Sequence, residues 1–315
     1  MALVTTSTLP NQYDKTIDKM IMDAYMKIAS EYPQFFQASP APKGKTYKES
    51  TITGLGNMRE LGEGEGVDFD QPAEGDTVER SYTKFGLGFQ IVEEAEQDDI
   101  QGKLPRVAGT LGRSAAHRID LSAFQILNLG DTVASVAGRD GLALFADNHV
   151  TLKSGDTIDN KGTAALSETA LQAAFEYFNT LLTHEGFPAQ LTLSKVLASE
   201  PNRWMLNRLA KQQGAISTSG AAPDMSGNDM TTNPANGYVN AWSAHILRYL
   251  GATFGGAADA WFALSQMADL RLFWKWKPRT EAASDFRTGN RLYKLTLRFQ
   301  AFSNDYETMY GSFPT

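Results

Sequence analysis

Gly62-Glu63-Gly64-Glu65-Gly66-Val67-Asp68-Phe69-Asp70 lies at the middle of a stretch from about Tyr47 to Asp99 that cannot build a core of its own. Glycine leaves the backbone free, and the interleaved carboxylates resist burial. The limb that follows is good strand. Phe85, Leu87, Phe89 and Ile91 alternate with Lys84, Gly86, Gly88 and Gln90, which puts the apolar side chains on one face. The limb that precedes it, Thr51-Ile52-Thr53-Gly54-Leu55, is weaker. A long two-stranded arm is marginally stable alone in water. The expectation is that it lies on something else, namely another copy of the same chain.

Charge is segregated around this arm. From Arg59 to Asp99 thirteen acidic residues face three basic ones, a balance of −10, while the whole chain carries −7. The remainder therefore sums to +3. From Arg271 to Arg298 eight basic residues stand against two acidic ones, a balance of +6. The acidic total argues against a protein that coats nucleic acid. At 315 residues and 42% apolar content, two or three subdomains are expected. There is no apolar run long enough to cross a bilayer, so no membrane partner is expected. The start lacks the features of a secretory signal. With no cysteine, disulfides, thiolate metal sites and cysteine nucleophiles are excluded.

Taken in order, Tyr13 to Ala29 predicts an amphipathic helix closed by Pro33, with Ile17, Met20, Ile21, Ala24, Tyr25 and Ile28 on its stripe. After the acidic run Glu93–Asp99, a long helix is expected over roughly Leu104 to Leu129. Val107, Ala108, Leu111, Ala115, Ile119, Ala123 and Ile126 form its buried face. Residues Gly138–His149 read as a loop with a short apolar centre. Ser167 is the N-cap of a second helix that Gly186 and Pro188 end. Leu191–Ala198 reads as a strand, and Pro201 opens a helix to about Gln212. Gly214–Gly237, rich in small and polar residues, reads as a mobile loop. In the last third, Trp274-Lys275-Trp276-Lys277 predicts a strand with tryptophans on one face and cations on the other, and Leu292–Phe302 a closing strand.

Catalytic signatures are weak throughout. His117, His149, His184 and His245 are far apart, and Asp147-Asn148-His149 lacks the spacing of a metal-binding helix, so a capped turn is expected there. Gly62–Gly66 fails as a phosphate loop, because its carboxylates would repel phosphate and no Lys-Ser/Thr follows. No GxSxG elbow occurs. No enzyme activity, cofactor or metal is expected. The tryptophan–cation run raises single-stranded nucleic-acid stacking as a secondary reading. Charge complementarity between the acidic arm and the basic C-terminal region of a neighbour is the feature that survives, because complementary charge sets register and partner. Repeated head to tail, such a contact closes rings.

The order of these elements resembles the major capsid protein of tailed bacteriophages with the Hong Kong 97-type fold, most closely the Mu-like major head subunit group. The resemblance is carried by the limb Tyr82–Asp99, by Asp140-Gly141-Leu142-Ala143-Leu144-Phe145 with His149, and by Tyr306, Tyr310, Gly311 and Ser312. It implies an α+β fold with an N-terminal arm (1–46), an extended β-hairpin loop (47–99) and a peripheral domain (100–189) holding a spine helix at 103–130. An axial domain (190–285) with a flexible loop at 214–237 follows, and the chain returns to the peripheral domain over 286–315.

The resemblance further implies a non-enzymatic head protein that assembles as hexamers and pentamers into an icosahedral shell around double-stranded DNA, in the virion, after synthesis in the bacterial host cytoplasm. Implied partners are a separate scaffold protein, a portal and a decoration protein. The absence of lysine between Lys48 and Lys84 departs from members that cross-link through that loop. Residues expected at the contact between subunits are Glu63, Glu65, Asp68, Asp70, Glu74 and Asp76 on one side. Arg271, Lys275, Arg279, Arg287 and Arg291 are expected on the other. The alternatives are an encapsulin-like cargo compartment on the same fold and a metal-dependent hydrolase built on His149.

Overall fold

The computed structural model describes residues 10–72, 74–92, 103–132, 138–152, 155–211, 215–216, 230–231, 242–285 and 287–314. In chain order the elements are α1 (Pro10–Lys27), β1 (Gln37–Pro40), β2 (Thr46–Ile52), β3 (Glu74–Ser81), β4 (Thr83–Ile91), α2 (Lys103–Asn128), β5 (His149–Val150), β6 (Thr157–Ile158) and β7 (Lys161–Gly162). There follow α3 (Glu168–Thr180), β8 (Leu193–Ala198), α4 (Arg203–Lys211), β9 (Ala215–Ile216), β10 (Met230–Thr231), β11 (Ser243–Ile246), β12 (Trp261–Ser265), β13 (Arg271–Ser284), β14 (Arg291–Phe302) and β15 (Met309–Ser312). The chain divides into two compact units.

The first unit comprises Met1–Tyr47, Arg80–Ala123 and Leu270–Phe302. Its sheet has the order β1-β13-β14-β4, with β1 parallel to β13 and the other pairs antiparallel. Alternation along β14 buries Tyr293, Leu295, Leu297 and Phe299, while Leu292 and Lys294 are exposed. The turn between β13 and β14 is built by Asp285, whose carboxylate accepts the Arg287 N–H at 3.0 Å and the Thr288 hydroxyl at 2.9 Å. On α2, Ala108, Leu111, Ala115, Ile119 and Ala123 are buried as the 3.6-residue period requires, whereas Val107 is exposed. Helix α1 lies so close to α2 that a Cβ at Gly112 would collide with the Ile21 carbonyl. Only glycine leaves room for that approach.

The second unit comprises Lys48–Glu79, Phe124–Asp269 and Ser303–Thr315. Its sheet has the order β11-β8-β12-β15-β7. All five residues of β12 are buried, as expected of a central strand covered on both faces. Phe145, Phe262 and Phe313 pack with ring centroids 5.4–5.6 Å apart at its heart. Ser167 caps α3, its side-chain oxygen accepting the Ala170 N–H at 3.1 Å.

Several expectations are corrected. The apolar alternation at Phe85–Ile91 is a strand, but β4 pairs with β14 in the sheet and is not the return limb of the arm. The outgoing strand pairs instead with β3, so the hairpin is β2/β3. A period of two identifies a strand without naming its partner. Helix α1 stops at Lys27, and Pro33 lies in a separate 3-10 turn over Tyr32–Gln34, where its missing N–H costs nothing. The tryptophan–cation alternation of β13 is broken by register shifts around Trp276. Trp276 consequently stands in register with Arg298, which faces Lys84 in turn, so ring and cations share one row. The expected loop at 214–237 falls outside the described residues apart from β9 and β10, which pair with each other. The acidic run at 93–99 lies outside them entirely.

Candidate functional site

In the second unit, residues 53–72 between β2 and β3 form neither helix nor strand, and nearly all are exposed. The loop carries Leu55, Met58, Leu61, Val67 and Phe69 in the open, with Met58 and Phe69 each 95% exposed. It is nevertheless tied to itself. Arg59 pairs with Asp68 and, at 3.6 Å, with Glu65. The Gly56 N–H donates to Asp70 at 2.6 Å, and the Gly62 N–H donates to Glu65 at 3.1 Å. Of the expected acidic contact residues, Glu65, Asp68 and Asp70 thus hold the loop's shape as well as its charge. Glu63 is exposed at the tip, while Glu74 and Asp76 lie on β3.

In the first unit the expected basic residues divide by role. Lys275 Nζ donates to the carbonyls of Pro42 at 3.0 Å and Gly44 at 2.6 Å, and Arg271 reaches the Tyr47 hydroxyl at 3.3 Å. These two fasten the segment after β1 to the sheet. Arg279 lies 4.8 Å from the Trp276 ring centroid and 3.5 Å from Glu281. Arg287 is exposed in the hairpin turn, and Arg291 begins β14 opposite Ile91. The sequence reading missed Lys84 and Arg298, which lie 6.0 and 5.5 Å from the same Trp276 ring. The period-two pattern of β4 and β14 contained them, but only the pairing aligns them.

Also in the first unit, β4, β14 and α2 enclose an open cleft of about 370 Å³, floored by Phe85, Leu87, Leu111, Leu121, Leu295 and Leu297. His117 and Arg118 stand in its wall. The Arg118 guanidinium lies 4.4 Å from the Phe85 ring centroid, and its Nε is buried with no hydrogen-bond partner among the described residues.

The second unit also contains a buried ionic network that joins residues the sequence separates. Arg139 contacts Glu307 at 2.6 Å, Asp305 at 3.8 Å and the His184 ring. His184 Nε2 lies 3.0 Å from Glu307, and its Nδ1 accepts the Leu152 N–H at 3.1 Å. His149 Nδ1 meets Asp140 at 2.6 Å, and its ring stacks on Tyr306 at 3.8 Å. Burial, then the neighbouring Glu307, pushes the Asp305 carboxyl up to about 6. Burial also pushes Asp140 up, but hydrogen bonds from His149 and the Leu142 N–H outweigh it and hold that group below the usual carboxylate range. Two of the histidines considered as ligands are thus held in a structural network. Among the described residues no three His, Asp or Glu side chains are grouped to hold a metal.

No family model and no curated protein sequence matches the chain. Solved structures do. The bacteriophage PhiM1 mature capsid superposes with a TM-score of 0.63 at 11% identity, covering 91% of this chain and 88% of that one. The capsid of cyanophage P-SCSP1u gives 0.56 at 10% identity, covering 91% and 88%. A virus-like particle from Pyrococcus furiosus gives 0.52 at 8% identity, covering 95% and 99%. Across nearly its whole length, the chain has the mixed α+β fold of these shell proteins, the Hong Kong 97-type fold.

Proposed function

We propose that this chain is a non-enzymatic shell protein, the major head protein of a tailed phage or prophage of the Mu-like group. It assembles as hexamers and pentamers into an icosahedral shell around double-stranded DNA. Assembly takes place in the bacterial host cytoplasm, with a separate scaffold, a portal and a decoration protein as partners. In this reading β2, β3 and the loop between them are the extended arm, α2 the spine of a peripheral domain, and 190–285 the axial domain. The observation that carries the proposal is the loop at 53–72. A chain that folds like a shell subunit holds out a self-tied acidic loop with Met58 and Phe69 almost wholly exposed. Such a loop is stabilised by a neighbouring subunit. Its charge directs it to a basic surface of the neighbour that includes Arg287, exposed in the β13–β14 turn, and Arg291 at the start of β14.

Sedimentation of the full chain beside a variant with residues 56–70 replaced by a short Gly-Ser turn tests this. Large assemblies from the full chain and folded monomers from the variant are expected. Equal assembly by both would remove the loop from the account. A second reading, a cellular cargo compartment, is favoured by the likeness to the Pyrococcus furiosus particle over 99% of that chain. Nuclease-protected DNA in purified shells supports the phage head, and protein cargo the compartment.

A further inference from the structure

We propose that Phe69 of one copy seats in the cleft between β4, β14 and α2 of a second copy and anchors the loop there. This deepens the shell-forming reading and rests on it. The cleft has room for an aromatic ring, and its floor is apolar. Leu87, a strand residue on the same face as the buried Leu295 and Leu297, is 56% exposed there. An apolar face left open beside a packed helix is completed by a side chain from elsewhere. Phe69 is the aromatic side chain of the loop and is 95% exposed. Burying an aromatic in a partner's pocket is the usual form of an interface anchor.

Charge selects the same occupant. The loop from Arg59 to Asp70 has five acidic residues and one basic, a balance of −4. The wall of the cleft presents His117 and Arg118. Asp68 and Asp70 flank Phe69 on either side, so a seated ring brings carboxylates to that wall. A carboxylate accepts more than one hydrogen bond, so each can serve the loop and the partner together. The ties from Arg59 and Gly56 pre-shape the loop, which lowers the ordering cost of docking.

The lack of cysteine makes introduced thiols unique. One chain carries Val67→Cys, beside the anchor, and another carries His117→Cys, in the cleft wall. Both are mixed under assembly conditions and treated with a short bis-maleimide. A cross-linked pair is expected from the mixture and not from either chain alone. Adding Phe69→Ala to the first chain should lower its yield at least about tenfold, as loss of a buried aromatic anchor does, and Phe69→Tyr should restore it. Undiminished cross-linking with Phe69→Ala overturns the proposal. Shells without any cross-link would refute this seat and leave the shell-forming reading standing, whereas a chain that stays monomeric would refute both.

Discussion

Oδ1 of Asp120 accepts the backbone N–H of Tyr32 at 3.1 Å, and the same oxygen accepts the Glu31 N–H at 3.2 Å. A buried carboxylate on α2 thereby caps the 3-10 turn that carries the chain from α1 towards β1. Removing it strands two donors. Asp120→Ala should cost about 1–3 kcal/mol, the penalty of leaving buried polar groups without partners. Asp120→Asn, which keeps an oxygen in place, should cost less. Urea unfolding of the two variants checks the difference.

The same residue gives a pH signature. Burial pushes its carboxyl up to about 6 from an ordinary 3.8, against the opposing pull of the two N–H groups. The folded state therefore binds this proton more tightly than the unfolded state. Its contribution is complete below about 4 and is lost as pH rises through about 6. Between pH 4 and 7 the wild type should lose more stability than Asp120→Asn. Parallel stability–pH curves would contradict the assignment.

Arg139 pairs with both Asp305 and Glu307. Arg139→Ala leaves two buried acids facing each other and should cost about 3–5 kcal/mol, as breaking a buried ion pair does. Arg139→Ala combined with Asp305→Asn should recover part of that loss. Thermal unfolding of the single and double variants would show it.

Gly112→Ala sets two effects against each other. Helix propensity favours alanine by about 1 kcal/mol, but the added methyl has no room against the Ile21 carbonyl. Collision in a packed interface costs about 1–3 kcal/mol, so net destabilisation is expected, with faster hydrogen exchange in α1. A stabilised variant would mean that α1 does not seat there.

Arg287→Glu together with Arg291→Glu tests the charge match between subunits. Arg287 is exposed in its turn, so the monomer should keep its far-ultraviolet circular dichroism while assembly falls. Normal shells from this double variant would sink the electrostatic part of the account.

The sequence disclosed local structure well and pairing poorly. Ser167 announced the start of α3, and the stripe Ala108–Ala123 announced α2, because caps and periodicity are properties of neighbouring residues. That β4 joins β14, or that Trp276 aligns with Arg298 and Lys84, depends on register between distant strands. The network of Arg139, His149, His184 and Glu307 was hidden for the same reason. Each member looked unremarkable at its own position, and no spacing rule links residue 139 to residue 307. The loop at 53–72 was legible as a segment without a core, and Phe69 stood in plain view within it. The cleft that fits a ring appears only once β4 is placed in its sheet.

Negative-stain electron microscopy of the full chain, expressed alone and with the genes beside it, tests the central claim most directly. The account predicts closed shells or rings of five and six subunits. A monodisperse monomer under every condition would contradict it.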